Sequence, residues 1–324
     1  MRVLVTGGCG FIMSNFIRCM ISKHPDYKII NLDKLTYAAN PNNLVDVEKN
    51  PNYTFVKGDI CDKELVEKII KNVDIVVNGA AETHVDRSII EAGSFVQTDV
   101  FGTYVLLEAA RKFDVKRFEQ ISTDECYGST ASGSFKETDT LNPSNPYAAS
   151  KAAADFLVLS YFATYNLPVV ITRSTNNYGQ CQHPEKLIPK LILNAIQDKP
   201  LPIYGDGKNV RDWLFVEDNC IAIDTILKDG EDGKVYNVAG ENEKTNLEVA
   251  NFILKELGKP NTLIKFVKDR PGHDRRYSLN CEKIKKLGWN AKTKFEDGMK
   301  KTISWYSKNG WWWKPLMKNN YDFW

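Results

Sequence analysis

Short runs of aliphatic and β-branched residues alternate with longer stretches of mixed apolar and polar residues through the first half of the chain. The short runs cover residues 3–5, 28–32, 54–56, 74–78, 118–121 and 169–172. The longer stretches predict helices at residues 14–23, 95–113 and 148–165. This alternation is typical of the α/β class, in which helices cover both faces of a doubly wound parallel sheet.

The alternation stops after Arg173, where prolines and glycines become frequent between residues 184 and 207. We therefore expect a sheet domain over residues 1–172 and a smaller α/β domain, mainly for substrate binding, over residues 173–324. Residues 235–238 have the composition of one more strand, which is predicted to return to the first sheet. Residues 247–257 predict an amphipathic helix.

Two of the predicted helices are apolar on more than one face. Helix 148–165 is apolar around nearly its whole circumference. The apolar residues of helix 95–113 spread over more than one face and are Val100, Phe101, Tyr104, Val105, Leu107 and Ala110. A helix on the surface of a single subunit needs only one apolar stripe. We therefore expect these helices to pack against a second copy of the chain in a homodimer.

Composition excludes several functional classes. The chain has 324 residues, is 43% hydrophobic and carries a formal net charge of +2, so it lacks the positive field of proteins that bind nucleic acid or anionic membranes. Its 7 cysteines show no Cys-x-x-Cys spacing, which favours a reducing compartment such as the cytoplasm. No apolar window has the length of a membrane-spanning helix, and the 4 histidines lack metal-ligand spacing, so we expect neither a membrane segment nor a metal.

A glycine-rich turn connects the first predicted strand to the first helix. Gly7, Gly8 and Gly10 lie in this turn, and Phe11 and Ile12 follow it. Glycines at such a turn let backbone N–H groups approach a pyrophosphate at the helix N-terminus. The motif predicts a dinucleotide site with contacts from Gly7, Gly10, Phe11 and Ile12, and an ordinary glycine turn is the alternative.

Asp33 and Met13 refine this prediction. Asp33 ends the second strand roughly 20 residues beyond the turn, where an acid accepts hydrogen bonds from ribose hydroxyls and repels a 2′-phosphate. This position favours NAD over NADP.

Met13 stands where the motif has a small residue for close helix packing. Either the helix is pushed outward, or a gap elsewhere accommodates the side chain.

The ends of the other predicted strands supply further candidates, because ligands of open α/β sheets bind at the carboxyl ends of the strands. Additional cofactor contacts are expected from Lys34, Asp59, Ile60, Ala80, Ala81 and Ser122. Thr83 and His84 follow on the loop after the fourth strand. They form either a wall of the substrate site or an ordinary solvated loop.

The stretch from Ser122 to Lys151 contains two acids, a phenol and an ammonium group. Tyr147 and Lys151 share one face of the predicted helix, so we expect Lys151 to lower the pKa of the Tyr147 phenol. Asp124 and Glu125 follow the fifth strand, and two neighbouring carboxyls with separated pKa values suit an acid and a base. Both acids reach the same ligand only if the strand ends before Asp124.

Together these motifs resemble the extended short-chain dehydrogenase/reductase superfamily and, within it, the nucleotide-sugar 4,6-dehydratases. The resemblance starts from residues 7–10, 122–125, Tyr147 and Lys151, and it extends over residues 80–88, 176–179, 184–189, 204–213 and 269–277. It implies a Rossmann sheet, NAD as cofactor, and conversion of nucleotide-linked glucose to the 4-keto-6-deoxy sugar and water in deoxysugar biosynthesis. The choice between dTDP and UDP stays open, because one methyl group is worth only about 1–3 kcal/mol.

The resemblance also implies residue roles. Tyr147 would take the proton of the 4-hydroxyl, Lys151 would hold Tyr147 and the nicotinamide ribose, and Thr123 would bond to the oxygen at C4. Glu125 would remove the C5 proton, while a protonated Asp124 would protonate the departing 6-hydroxyl. Substrate contacts are implied for Thr83, His84, Asn176, Asn177, Lys186, Leu187, Tyr204, Arg211, Asn246, Arg270 and His273.

Two other functions use part of the same residue set. A nucleotide-sugar 4-epimerase would use Tyr147, Lys151 and NAD, but it needs no acid pair for dehydration. A non-catalytic NAD-sensing protein would lack the tyrosine or the lysine. One further departure from the family pattern is Asp99, which stands where an asparagine is common.

Overall fold

The computed structural model describes residues 1–269 and 273–318. The strands are β1 (Arg2–Thr6), β2 (Lys28–Asp33), β3 (Tyr53–Lys57), β4 (Ile75–Asn78), β5 (Arg117–Thr123), β6 (Val169–Ser174), β7 (Asn176–Tyr178), β8 (Leu201–Tyr204), β9 (Val210–Phe215), β10 (Lys234–Val238), β11 (Glu243–Thr245) and β12 (Ile264–Val267). The α-helices are α1 (Phe11–Lys23), α2 (Lys63–Ile70), α3 (Val85–Ile90), α4 (Gly93–Phe95), α5 (Thr103–Lys112), α6 (Pro146–Tyr165), α7 (Leu187–Ile196), α8 (Val216–Asp229), α9 (Asn246–Glu256), α10 (Glu282–Lys285), α11 (Phe295–Lys308) and α12 (Gly310–Trp313).

A parallel sheet of 7 strands forms the centre of the fold, in the order β10-β6-β5-β4-β1-β2-β3. Its inner strands are apolar because helices cover both faces, and β4 is buried at every position. The chain first adds β2 and β3 on one side of β1. It then adds β4, β5, β6 and β10 on the other side of β1. The ligand-binding edge therefore lies at the carboxyl ends of β1 and β4, and the predicted doubly wound sheet is confirmed.

The second half of the chain both completes this sheet and builds a smaller unit. β10 pairs in parallel with β6, so the strand predicted at residues 235–238 does return to the first sheet. Two smaller sheets, β11-β9-β7 and β12-β8, lie with α7, α9 and α11 around a separate apolar cluster. Within the described residues, no helix has both the length and the apolar character that crossing a bilayer requires.

The predicted helix at residues 95–113 is interrupted. A π-helical turn, Val96–Gly102, separates α4 from α5. The hydroxyl of Thr103 donates to the carbonyl oxygen of Asp99 at 2.6 Å across this turn. The wider turn places the Asp99 side chain in the interior, where the residue is 1% exposed.

Helix α6 begins at Pro146, because Asn145 caps it. The Asn145 side chain accepts a hydrogen bond from the N–H of Ala148 at 2.9 Å, and proline suits the first helical position. The helix ends at Asn166, which adopts the left-handed conformation with φ of 56°. These two ends fix the register that brings Tyr147 and Lys151 to the carboxyl edge of the sheet.

Met13 fills a gap rather than displacing helix α1. Its side chain is buried against Gly79, the residue that follows β4. A Cβ on Gly79 would lie 2.3 Å from Cγ and 2.5 Å from Sδ of Met13. The absent side chain of Gly79 therefore provides the space that Met13 occupies.

This packing predicts strong coupling between the two positions. Gly79→Ala should lower the free energy of unfolding by about 1–3 kcal/mol through overpacking, as measured by urea unfolding. The same Gly79→Ala substitution should cost much less in a Met13→Ala background, because the overlapping side chain is gone. Gly310→Ala is the matched control, because its Cβ would meet only ordinary contacts of 3.4 Å or more. An equal cost of Gly79→Ala in the parent and in the Met13→Ala background would contradict this packing.

Candidate functional site

Two cavities meet at the carboxyl edge of the large sheet. The first has a volume of about 300 Å³ and lies over the ends of β1, β2 and β4. The second has a volume of about 850 Å³ and is walled by the loop after β4 and by residues of the second half of the chain. Glu125, Asn176 and Lys186 line both cavities. One continuous cleft therefore joins them.

The glycine turn forms one end of the first cavity. Gly7 has φ of 70°, and a Cβ there would lie 2.8 Å from Cα of Ala80, so only glycine fits between β1 and β4. Helix α1 starts after Gly10, and no side chain caps its first turn. The N–H groups at this helix end face the cavity beside Phe11 and Ile12, as a pyrophosphate requires.

Asp33 lies against the glycine turn. Its Oδ2 accepts from the N–H of Cys9 at 2.8 Å, and its Oδ1 accepts from the N–H of Leu35 at 2.7 Å. Burial raises the pKa of Asp33, and these two hydrogen bonds oppose the rise. Lys34 and Asp59 form an ion pair of 2.7 Å at the rim.

The structure brings most of the predicted cofactor contacts together. The predicted cofactor contacts that line the first cavity are Gly7, Gly10, Phe11, Ile12, Asp33, Lys34, Asp59, Ile60, Ala80, Ala81, Ser122 and Tyr147. Lys151 does not line it. The Lys151 ammonium lies below the surface and donates to the carbonyl oxygen of Ile121 at 2.6 Å.

The two predicted catalytic acids lie beyond the end of the strand. β5 ends at Thr123, and residues Asp124–Tyr127 form a 3₁₀ helix. The Thr123 hydroxyl oxygen accepts from the N–H of Glu125 at 3.3 Å and so starts this turn. The condition for both acids to reach the same ligand is therefore met.

Asp124 is the buried member of the pair. Burial and the neighbouring Glu125 raise the pKa of Asp124 well above its ordinary value, and Arg211 and Thr123 oppose the rise only partly. In the described part of the chain, no hydrogen-bond partner reaches its Oδ2. The raised pKa favours the protonated form of the Asp124 carboxyl, which lines the first cavity.

The expected lowering of the Tyr147 pKa by Lys151 is wrong. Burial, followed by the charges of Glu125 and Asp99, raises the pKa of Tyr147 well above its ordinary value. The hydrogen bond from Thr123 to the phenol works in the other direction. Helical spacing placed the lysine on the correct face, but its ammonium is bonded to the strand β5 backbone and does not offset the burial of the phenol.

The second cavity collects the predicted substrate contacts. Its lining includes Thr83, His84, Asn176, Lys186, Leu187, Tyr204, Arg211, Asn246 and His273. Asn177 lines the first cavity instead. Arg270 lies outside the described residues.

The guanidinium of Arg211 is held in place by its neighbours. It donates to the carbonyl oxygens of Val210 at 2.7 Å and of Asp274 at 3.0 Å, and it lies 4.4 Å from the ring centre of Tyr277. Burial and then the charge of Glu125 raise the pKa of Tyr277. This tyrosine lines the second cavity, and sequence reasoning assigned it no role. The only signal for it was its place in the segment 269–277, which gives no spatial information.

Glu185 is a second residue that sequence reasoning missed. Its side chain is fully buried, accepts a hydrogen bond from the Tyr37 hydroxyl at 3.0 Å, and lies 3.7 Å from Nε2 of His84 and 3.9 Å from Nζ of Lys186. Lys186 donates to the carbonyl oxygen of Thr83 at 2.6 Å. Glu185 thus connects the loop after β4 to the second half of the chain at the boundary of the two cavities.

Comparisons with known proteins agree with this geometry. A family model described as GDP-mannose 4,6 dehydratase matches residues 4–302. The dTDP-glucose 4,6-dehydratase of Haemophilus influenzae is 52% identical over 334 residues, which cover 95% of this chain and 98% of that protein. The chain belongs to the nucleotide-sugar 4,6-dehydratase family. The motif-based prediction of the family is confirmed.

Two further relatives of this 4,6-dehydratase family member extend the comparison. The low-salt glycan biosynthesis protein Agl12 of Haloferax volcanii is 51% identical over 306 residues, which cover 94% of this chain and 98% of that protein. The crystal structure of dTDP-glucose 4,6-dehydratase from Bacillus anthracis in complex with NAD has a TM-score of 0.92 at 50% identity and covers 98% of this chain and 99% of that chain. The relatives therefore match along nearly the whole chain.

The raised pKa of Asp124 predicts that the difference in unfolding free energy between Asp124→Asn and the parent protein depends on pH. An aspartate in an unfolded chain has a pKa of about 3.9, so the parent protein loses stability as the pH rises from there through the higher folded pKa. Asp124→Asn does not titrate. Its unfolding free energy relative to the parent should rise with pH above about 4, by up to about 1.4 kcal/mol per pH unit.

Urea unfolding at several pH values checks this prediction. Asp74→Asn is the control, because Lys116 lowers the pKa of that exposed acid and no such rise is expected above pH ~4. A constant difference between Asp124→Asn and the parent from pH ~4 to ~7 would show that Asp124 is ionised in the folded protein.

Proposed function

We propose that the chain converts dTDP-glucose to dTDP-4-keto-6-deoxyglucose and water, as a step of deoxysugar biosynthesis. The observation that carries this proposal is a buried Asp124 with a raised pKa beside Glu125, in the same cleft as Tyr147. A 4-epimerase has no use for such an acid pair. The names of two similar proteins support dTDP as the nucleotide, and UDP-glucose is the alternative substrate.

The cofactor is NAD, and the first cavity fits it. The uncapped first turn of α1 suits the pyrophosphate, and the Asp33 carboxyl suits a ribose with free hydroxyls. When bound, NAD supplies the hydride acceptor for C4 and the hydride donor for C6 of the sugar. The ring and ribose contacts are assigned to Tyr147, Ser122 and the two alanines Ala80 and Ala81.

Tyr147 is proposed to accept the proton of the 4-hydroxyl. The hydrogen bond from Thr123 is the contact that favours its ionised form, and the charges of Glu125 and Asp99 disfavour it. Lys151 is proposed to orient α6 against the end of β5 through its bond to Ile121.

The acid pair is proposed to remove water across C5 and C6. Glu125 lines both cavities, and Asn145 approaches its Oε2 at 3.5 Å, so its carboxylate is held at the junction as a base for the C5 proton. Asp124 holds a proton and donates it to the departing 6-hydroxyl. Because the two carboxyls have different burial, they separate into a base and an acid.

The remaining assignments follow from the two cavities. Residues 1–172 would hold the cofactor, and residues 173–324 would mainly hold the nucleotide sugar. Arg211, Lys186 and His273 place positive or hydrogen-bonding groups around the second cavity, as a diphosphate requires. Tyr204, Asn246 and the other lining residues would contact the nucleoside and sugar.

We further propose a homodimer formed by α6 and the π-helical turn. Phe156 of α6 is 61% exposed and Val96 is 56% exposed, although both elements pack against each other. A second copy of the same surface would cover these side chains. A reducing, cytoplasmic location remains a prediction from the cysteine content.

A substrate test with two variants checks the dehydratase proposal. The parent protein, with NAD, should convert dTDP-glucose to a product lighter by one water, and UDP-glucose more slowly; mass spectrometry measures both. Glu125→Gln should lose about 10²–10⁴-fold of the dehydration rate while still forming NADH from the substrate. Tyr147→Phe should form neither NADH nor product.

Three results would contradict the proposal. Loss of water from neither nucleotide sugar would exclude a dehydratase of these substrates. Conversion of UDP-glucose to a 4-epimer without loss of water would favour the epimerase. Dehydration by Glu125→Gln at the parent rate would remove Glu125 from the base role.

The dimer proposal predicts a change in mass on substitution of one exposed aromatic residue. The parent should behave as a dimer in light scattering, and Phe156→Asp should weaken association by at least about tenfold, because an apolar contact worth about 1.5–3 kcal/mol is lost. Phe266→Asp is the matched control: that residue is 59% exposed on β12, away from α6, and the mass should not change. A monomeric parent protein would refute the proposal.

A further inference from the structure

Asp99 is a buried acid that the proposed mechanism does not use. It lies in the π-helical turn Val96–Gly102, a type of turn that is rare and often occurs at functional sites. Taking a carboxyl group out of water costs free energy unless other groups compensate. The contacts of Asp99 therefore indicate its role.

Both carboxyl oxygens of Asp99 accept hydrogen bonds. Oδ1 accepts from the backbone N–H of Glu82 at 2.9 Å, and Oδ2 accepts from the hydroxyl of Ser150 at 2.7 Å. The Ser150 hydroxyl also lies 2.8 Å from the carbonyl oxygen of Tyr147. Ser150 therefore links the Asp99 carboxyl to the helical turn between Tyr147 and Lys151.

The charged groups around Asp99 are Lys151 on α6 and Glu82 in the loop after β4. Burial raises the pKa of Asp99 to about 6, and the positive charge of Lys151 is the largest opposing influence. Ser150 and the N–H of Glu82 also oppose the rise, whereas the Glu82 carboxylate adds to it. Asp99 in turn raises the pKa of Tyr147.

We propose that Asp99 is a positioning residue for the Tyr147–Lys151 pair. Its carboxylate fixes the Ser150 turn of α6 and makes proton release from Tyr147 depend on a third ionisable group. The negative charge of an ionised Asp99 disfavours ionisation of the Tyr147 phenol, whereas a protonated, neutral Asp99 does not. This inference rests on the proposed function in one respect, namely that Tyr147 is the proton-transfer group.

The first test measures the titration of Asp99 in the NAD-loaded protein and needs no turnover. The ¹³C resonance of its carboxyl, assigned by its loss in Asp99→Asn, should titrate near pH 6 in the parent. Lys151→Met should raise that midpoint by about 1 pH unit, because the opposing positive charge is gone. An unchanged midpoint would overturn the proposed coupling.

Ser150→Ala provides a second variant if Asp99→Asn fails to fold. It removes the hydrogen bond to Oδ2, which favours the ionised form, so the resonance that moves in both Ser150→Ala and Lys151→Met is assigned to Asp99. If no carboxyl resonance moves in both variants, the proposal is wrong.

The second test compares pH profiles for the formation of NADH in a single turnover. The rate of Asp99→Asn relative to the parent should approach 1 below pH ~6 and rise towards about tenfold above it, because one pKa unit of the phenol corresponds to a tenfold change. Glu119→Gln removes another fully buried acid, bonded to Thr172 at 2.6 Å, and should leave the shape of the profile unchanged. A pH-independent loss in Asp99→Asn would indicate a purely structural role and overturn the proposal.

The two tests separate failure of this inference from failure of the proposed function. If no nucleotide sugar is dehydrated but the Asp99 midpoint responds to Lys151, the coupling stands and the dehydratase proposal falls. If dehydration occurs but the midpoint does not respond, the dehydratase stands and the role of Asp99 falls.

Discussion

The burial of Asp124 beside a partly buried Glu125 at the end of β5 is the constraint on which the site depends. Burial raises the pKa of Asp124, while Glu125 lies at the junction of the cavities. Arg211, which limits the rise in the Asp124 pKa, comes from the second half of the chain. Asn145 approaches Glu125 and also caps α6, the helix that carries Tyr147. The environment of the two acids therefore depends on residues from both halves of the chain, and neither half provides it alone.

Features that follow from local pattern could be predicted from sequence. The apolar runs predict the strands of a parallel sheet because burial on both faces leaves no polar alternation to obscure them. The glycine turn, Asp33 and the end of β5 follow because each is set by its immediate neighbours along the chain. The same holds for the shared helical face of Tyr147 and Lys151. Nearly all the proposed ligand contacts consequently line the two cavities.

The features that sequence reasoning missed depend on residues far apart in the chain. The pKa of Tyr147 is set by burial and by the charges of Glu125 and Asp99, none of which helical spacing describes. The bond between Tyr37 and Glu185 joins residues separated by 148 positions. The π-helical turn at Val96–Gly102 has no composition signal of its own. Its buried residue Asp99 contacts Glu82 and Ser150, which are distant from it in the sequence.

The contact between Met13 and Gly79 indicates that the requirement of the dinucleotide motif for a small residue applies to two facing positions together. The motif describes its third small residue as a property of one position on the first helix. Here the small residue, Gly79, follows the strand and the large one, Met13, is on the helix, and the Met13 side chain occupies the space beside Gly79. What is required is a limit on the summed volume of two facing positions. A pattern search that demands a small residue on the helix would therefore reject this chain, although the sheet and helix approach each other as the cofactor site needs.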